Sequence, residues 1–391
     1  MTTWIIICAA VIPPLLLFII TNLFNLRGLR RIDAHGVPSG EHLVSIVVPA
    51  RNEEASIERC VRSLLGQAGV RCELIVVDDN STDRTPEILR RIAEKDARLT
   101  IVDGAPLPKG WMGKNWACWQ GFRASRGDAV LFTDADTFHE PHAVAGSLRA
   151  LLDADAGLLS MMVTQETGSF GVKLLVPVLF WLACSLFPFA LMNADSKLPL
   201  HFGNGQFMLF RREAYLAIGG HEGIRNNVFD DMTLARRMRA YGSRVLVVDG
   251  SRSVTCRMYE TLPAAFKGLS KNIYMLFRYS LPSGTAPVAY VLGLSFFALV
   301  MLGPVASLLV DGLLIAAGFP LSIPVIALSL GGVALTLLSL GVVSIRFRFP
   351  AVMVLLYPLT MVLFLATALG SMVMTISGRA EWKGRVLQHA A

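Results

Sequence analysis

Charge is absent from long stretches at both ends of this 391-residue chain and concentrated between Arg27 and Arg278. Residues 4–24 form an uncharged apolar run of about 21 residues, which as a helix crosses a hydrocarbon core of roughly 30 Å. Beyond Arg278 the composition turns apolar again over 286–310, 322–343 and 351–376. The roughly 250 residues in between are enough to bury a core of their own. With 53% hydrophobic residues, the chain reads as a globular unit attached to membrane helices, not as a soluble enzyme.

Arg27, Arg30 and Arg31 follow the first apolar run. A cleavable signal would carry its positive charge before that run, so residues 1–26 read as an uncleaved transmembrane anchor. The positive-inside rule then puts the arginines, and a globular domain over 27–284, in the cytoplasm of a multi-pass protein of the cell inner (plasma) membrane. Residues 285–378 are expected to hold three transmembrane helices, with Arg346 and Arg348 in a second cytoplasmic loop. Pro304, Asp311 and Gly312 leave open a two-helix hairpin, which would make four spans. Four would also bring the basic tail, 379–391, with Arg379, Lys383 and Arg385, to the cytoplasmic side.

The net charge of +7 is not evidence for nucleic acid, because the basic residues lack interleaved aromatics and cluster beside the apolar runs. Attraction to anionic lipids is the simpler account. The six cysteines, Cys8, Cys60, Cys72, Cys118, Cys184 and Cys256, show no metal-ligand spacing and read as reduced and structural. No internal repeat or low-complexity tract is present.

From 43 to 152 short apolar runs alternate with helical patterns: strands are expected at 43–48, 73–77, 99–102 and 129–132, and helices at 53–65, 86–94, 115–124 and 141–152. Such alternation implies parallel strands with helices on both faces, and ligands in such sheets sit beyond the carboxyl ends of the strands. Those ends are polar. The first runs into Pro49, Arg51 and Glu53, the second into Asp78 and Asp79, and the fourth into Asp134-Ala135-Asp136. Asn80, Ser81 and Asp83 are accounted for by a turn and a helix cap, which leaves Asp78 and Asp79 without an assignment.

Asp134 and Asp136, two apart in an extended segment, point to one side. Their hard oxygens suit Mg²⁺ or Mn²⁺ bridged to a diphosphate, although a solvated loop would account for the triplet alone. Asp230 and Asp231 open a helical pattern, where carboxylates ordinarily partner the helix dipole. The same place suits a general base.

Taken in order, PARNEE, VVDDNSTDRT, the DAD triplet, FGNGQFMLFRR and FDDMTLARRM resemble the family 2 glycosyltransferases over residues 44–277. WMGKNWACWQG and CRMYE, together with the flanking apolar segments, resemble the subgroup that glycosylates carotenoid acids, hopanoids and other bacterial lipids. The resemblance implies an α/β fold of nucleotide-sugar-binding, GT-A-like type: a mixed sheet with helices on both faces, plus transmembrane helices at both ends. It implies inverting, metal-dependent transfer of one sugar from a nucleoside-diphosphate sugar, with a lean towards UDP, to a carotenoid, hopanoid or other polyisoprenoid or glycerolipid acceptor.

Position by position, the resemblance implies that Pro49, Arg51, Glu53, Asp78 and Asp79 hold the donor. Asp134 and Asp136 fall on the metal- and ribose-binding motif. Lys114 lies in the loop that closes on the nucleotide, with a surface lysine as the plain alternative. Gly203, Gly205 and Gln206 match the sugar and acceptor pocket. Asp231 falls on the base position, and Asp230 stands where the family more often has Glu, so either is a candidate. The QxxRW motif of processive synthases is absent, which favours single transfer. Lys267 and Lys271, one helical turn apart, could meet the diphosphate or lie at the membrane surface.

Residues 172–192 are apolar and about 21 long, enough for a span. A single crossing would put Asp136 and Asp231 on opposite sides of the membrane, so an interfacial or re-entrant segment beside the acceptor pocket is expected, with a buried core helix as the alternative. A polyprenyl-phosphate glycosyltransferase would share every motif. A sensor would not need all the acidic positions, and a transporter would bury charges in its spans, where only Asp311 stands.

Overall fold

The computed structural model describes residues 2–32, 42–194, 198, 200–271, 273–279, 285–320, 322–378, 381–382 and 385–386. Asp195 and most of the basic tail, including Arg379 and Lys383, lie outside the described residues. The α/β unit is built on ten strands: β1 (Leu43–Ala50), β2 (Arg71–Asp78), β3 (Leu99–Asp103), β4 (Ala129–Phe132), β5 (Thr137–His139), β6 (Ala156–Met162), β7 (Thr164–Gln165), β8 (Met208–Arg211), β9 (Arg244–Asp249) and β10 (Val254–Cys256).

Seven strands make the main sheet in the order β3-β2-β1-β4-β8-β6-β9. β1 runs parallel to β2, with Ala50 opposite Asp78, and to β4, with Val47 opposite Phe132. The parallel order expected from the alternation therefore holds for the first four strands of the chain. β8 is antiparallel to both β4 and β6, which makes the sheet mixed, of GT-A-like type. β5, β10 and β7 form a second, three-stranded sheet.

The period of two along β1 sorts its side chains between two cores. Val44, Ile46 and Val48 pack with Ile57, Leu64, Leu89, Leu148 and Leu151 from the helices on one face. Val47 packs with Phe122, Phe132, Tyr215, Leu234 and Met238 on the other. Full burial of each such side chain contributes roughly 1.5–3 kcal/mol.

One helix boundary differs from expectation by a full turn. The pattern predicts a helix from residue 53, but it begins at Ile57. Asn52 adopts a left-handed φ of 52°, and its N–H donates to Ser81 Oγ (2.9 Å), while those of Glu53 and Glu54 donate to Thr85 Oγ1 (2.8 Å) and Asp83 Oδ2 (3.0 Å). Three successive backbone donors are thus taken by the neighbouring loop, and the helix starts after them.

Ile5–Gly28, which includes helix Ile12–Gly28, and helices Ala286–Ala316, Ile323–Phe347 and Tyr357–Ile376 are long and apolar enough to cross a membrane. Ala286–Ala316 is one helix of 31 residues with Pro304 inside it, in place of the hairpin the sequence left open. The Phe170–Leu186 helix has 17 residues, rises about 25 Å, and packs against helices Ile12–Gly28 and Tyr357–Ile376. Its polar contacts tie it to the other apolar helices: Trp181 Nε1 donates to Ser339 Oγ (3.0 Å), and Asn25 Nδ2 to Cys184 O (2.8 Å).

Asp249, at the end of β9, ties the apolar helices to the sheet. Its side chain is fully buried and meets Arg31 at 3.3 Å and Arg346 at 2.6 Å. Arg31 follows the first apolar helix and Arg346 ends the Ile323–Phe347 helix, so both helix ends meet the α/β unit at one carboxylate.

Candidate active site

The loops after β1 and β2 form one wall. Arg51 Nη1 donates to the carbonyl of Asp79 (2.6 Å), and the Asp79 N–H to the carbonyl of Ala50 (2.8 Å), so each strand end braces the other. Asp79 is buried beneath this brace. Asp78 does not reach the cleft. It is buried, and its Oδ1 accepts the Ser81 N–H at 3.1 Å, closing the turn that carries Asn80 at φ 56°. In this structure Asp78 forms the turn and is not among the residues that line the cleft.

The Asp134-Ala135-Asp136 loop lies between β4 and β5. Thr137 Oγ1 donates to the Asp134 carbonyl (2.7 Å), and Thr133 Oγ1 to the Gln206 carbonyl (2.7 Å). Asp136 accepts from Cys256 Sγ at 3.3 Å, and its carbonyl accepts the Arg257 N–H at 3.0 Å. Burial and then the nearby Asp136 charge push the Cys256 thiol well above an ordinary cysteine, so it stays protonated.

The third wall is the start of helix Asp230–Ala240. Lys114 Nζ lies 2.9 Å from Asp134 Oδ1 and 3.4 Å from Asp230 Oδ2. It is aimed there by the next residue, Asn115, which donates to the carbonyls of Ile224 (3.0 Å) and Asn227 (2.8 Å). Burial opposes the ammonium, but Asp134 and Asp230 outweigh it and hold Lys114 charged. Asp231 Oδ2 accepts the Gly205 N–H (3.1 Å), and Oδ1 accepts the Met232 N–H (2.7 Å). Burial and then the charge of Asp230 raise the Asp231 carboxyl to about 6, against the pull of Lys114 and of those two N–H groups.

These walls enclose a cleft of about 350 Å³. Of the residues singled out in the sequence, Pro49, Arg51, Glu53, Asp79, Lys114, Asp134, Asp136, Gly205, Gln206, Asp230, Asp231 and Lys271 line it. Gly203 does not: a Cβ there would fall 2.3 Å from the Asp231 carbonyl oxygen, so this glycine packs beneath the helix start. Lys267 is exposed on helix Leu262–Ser270 and also lies away from the cleft. Its turn-mate Lys271, the C-cap residue of that helix, lines the cleft.

Sequence reading missed His221, Gln165 and Tyr259. His221 is buried, with Nδ1 2.7 Å from Tyr215 Oη and Nε2 3.9 Å from Asp230 Oδ2. Burial lowers its pKa and leaves the ring neutral, despite the pull of Asp230. A histidine in a Gly-Gly-His turn nine positions before the acidic pair was the available signal. Gln165 and Tyr259 sit on strand and loop residues of the small sheet, whose short strands carry no readable period.

Residues 45–219 match the model of the family described as Glycosyl transferase family 2. A 4,4'-diaponeurosporenoate glycosyltransferase of Staphylococcus haemolyticus (strain JCSC1435) is 26% identical over 247 residues, covering 63% of this chain and 64% of that one. The protein of the same name from Staphylococcus aureus (strain USA300) is 28% identical over 243 residues, 61% of this chain and 62% of that one. These matches span less than two thirds of either relative. The one from Staphylococcus aureus (strain MRSA252) is 26% identical over 375 residues, 93% and 92% of the two chains. Among solved structures, the mannosyltransferase PcManGT from Pyrobaculum calidifontis, in complex with GDP-Man and Mn²⁺, aligns over 95% of this chain and 97% of its own. Its TM-score is 0.54 at 21% identity, a likeness of fold.

Proposed function

We propose that this chain, whose residues 45–219 form a glycosyl transferase family 2 domain, transfers a single sugar, with inversion, from a nucleoside-diphosphate sugar to a lipid acceptor at the cytoplasmic face of the inner membrane. The observation that carries the reading is Asp231. Its carboxylate is fixed by the Gly205 N–H on the same cleft that Asp134, Asp136 and Lys114 line.

The donor diphosphate would lie against Lys114 and Lys271, with the nucleoside towards Pro49, Arg51, Glu53 and Asp79. Asp231 takes the proton of the acceptor hydroxyl. The acceptor oxygen bonds to the anomeric carbon as the bond to the diphosphate oxygen breaks, on the opposite face. Lys114 is placed to carry part of the charge that develops on the leaving group.

No group of three or more potential protein ligands gathers among the described residues, so the metal reading rests on the chemistry of the donor set. Two aspartates with hard oxygen donors suit Mg²⁺ or Mn²⁺ when diphosphate oxygens and water fill the remaining positions. Asp134 and Asp136 fit that requirement. When bound, such an ion neutralises charge on the departing diphosphate.

The lipid acceptor is supported by the cleft's surroundings and by the names of the relatives. Met258 and Tyr259 line the cleft, and the Tyr259 ring packs over Gly268, where a Cβ would come within 2.3 Å of it. Gly268 belongs to helix Leu262–Ser270, whose Ser270 Oγ donates to the Thr367 carbonyl in the apolar helix Tyr357–Ile376 (3.2 Å). The relatives are named 4,4'-diaponeurosporenoate glycosyltransferases.

The test is nucleoside diphosphate release by the purified protein with Mg²⁺ or Mn²⁺, a panel of UDP- and GDP-sugars and a bacterial lipid extract. Lipid-dependent release that Asp231→Asn abolishes is the expected result. Turnover unaffected by that substitution would remove Asp231 from the role.

A further inference from the structure

The small sheet assembles a directed hydrogen-bond chain behind the Asp134-Ala135-Asp136 loop. Its first donor is Gln165, whose Nε2 meets Gln206 Oε1 at 2.9 Å. Asn204 Nδ2 approaches the same oxygen at 3.4 Å. An amide oxygen that receives N–H groups leaves its NH₂ as donor, and Gln206 Nε2 lies 3.1 Å from Cys256 Sγ. Having accepted there, the sulfur has its own hydrogen left to give. It points to Asp136 Oδ1 at 3.3 Å.

We infer that Cys256 is a positioning residue for the metal-binding carboxylate: its S–H, oriented through Gln206 and Gln165, holds Asp136 Oδ1 on the protein side and so aims Asp136 at a divalent cation in the cleft. The inference rests on the metal reading made above. It departs from the plain reading of Cys256 as a buried structural thiol.

The backbone supports the assignment independently of the side chains. Cys256 stands between its two partners in the three-stranded sheet, opposite Thr137 on β5 and opposite Gln165 on β7. Thr137 directly follows Asp136, so β10 is registered against the residue next to the carboxylate it serves. The Glu166 N–H donates to the Cys256 carbonyl at 2.8 Å, and the Arg257 N–H to the Asp136 carbonyl at 3.0 Å. Cys256, Gln165 and Gln206 are all buried, so water does not compete for these bonds. Groups that hydrogen-bond to a metal ligand orient it, and their loss commonly weakens metal binding by roughly 10–100-fold.

The experiment is Mn²⁺ binding to the full-length purified protein, read by the EPR signal of free Mn²⁺ with UDP present, or with GDP where UDP is not retained. Cys256→Ala is expected to weaken Mn²⁺ binding about tenfold, with Cys256→Ser restoring most of it, since a hydroxyl can also donate. Thermal unfolding identifies any variant that does not fold. Gln165→Leu, which leaves every cleft-lining side chain in place, should weaken Mn²⁺ binding in the same direction and serves if Cys256→Ala is unstable.

Wild-type Mn²⁺ affinity in folded Cys256→Ala, or in Gln165→Leu, overturns the inference alone. Equal loss in the folded Ser and Ala variants also overturns it, because packing and not hydrogen donation would then be at work. Absence of nucleotide-dependent Mn²⁺ binding by the wild type overturns the metal reading and this inference with it.

Discussion

Asp230 and Asp231 adjoin in the chain, at the start of one helix, and the fold gives them opposite electrostatic roles. Asp230 Oδ2 lies 3.4 Å from the Lys114 ammonium. Although burial alone would raise its pKa, Lys114 and then His221 hold it well below the usual carboxylate range. Asp231 accepts two backbone N–H groups, yet burial and the permanent charge of Asp230 raise it to about 6. One carboxylate is thereby fixed as an anion and the other is poised to exchange a proton near neutral pH.

The acid limb of the pH–rate profile follows from this. A base must be deprotonated to act, so kcat/KM should fall as pH drops through about 6. Asp230→Asn removes the neighbouring charge and should move that limb to lower pH. A pH–rate profile of the two proteins checks both statements.

Stability should move the other way. A carboxyl whose folded pKa exceeds its unfolded value binds protons more tightly when folded, so the native state loses stability as pH rises from about 4 to about 6. Asp231→Asn should therefore unfold at a higher temperature than wild type at pH 7.5, with the gap closing below pH 6, while kcat falls roughly 10²–10⁴-fold. Differential scanning at two pH values, beside product release, reads both.

Lys114→Met takes a cation from between two carboxylates. Loss of a hydrogen bond to a charged group costs about 1.5–3 kcal/mol, so the donor KM should rise by roughly 10–100-fold. Steady-state kinetics at saturating lipid measures it.

Gly203, beneath the helix start, and Gly205, on the cleft, should differ. Gly203→Ala places a Cβ 2.3 Å from the Asp231 carbonyl oxygen, a backbone atom, and should destabilise by about 1–3 kcal/mol and displace the base. Gly205→Ala crowds Lys114 Nζ, at 2.9 Å, the far end of a flexible side chain, and meets Asp231 Oδ2 only at an ordinary 3.6 Å, so the protein should fold normally and lose donor affinity. Urea unfolding and nucleotide binding separate the two outcomes.

Asp249→Ala removes the shared partner of Arg31 and Arg346. Breaking a buried pair by deleting one member typically costs about 3–5 kcal/mol, and the variant should lose thermal stability in detergent without a change in the donor KM of the folded fraction.

The strand ends illustrate what was legible. Alternating apolar runs are a local signal, and they located β1 to β4 because a buried parallel strand reads as a short continuous apolar run. Polar residues placed directly after those runs marked the cleft, since the carboxyl ends of such strands open onto one edge. The place of Asp78 was not legible, because its motif position cannot distinguish a carboxylate facing the cleft from one turned back onto Ser81. Lys267 and Lys271 share one helical turn in the sequence, yet only Lys271 lines the cleft, a difference set by tertiary packing.

By itself the sequence determined the apolar ends, the parallel first half of the sheet and the set of acidic residues at its edge, because each depends on neighbours within a few positions. Tertiary structure alone decided which of those residues meet. Lys114 reaches Asp134 and Asp230 across intervals of 20 and 116 positions, and Cys256 reaches Asp136 from a strand 120 positions away. Hydrogen bonds and ion pairs act over a few ångströms between side chains of any sequence separation, so no local pattern records them. The antiparallel insertion of β8 and the registration of the small sheet bring them within reach.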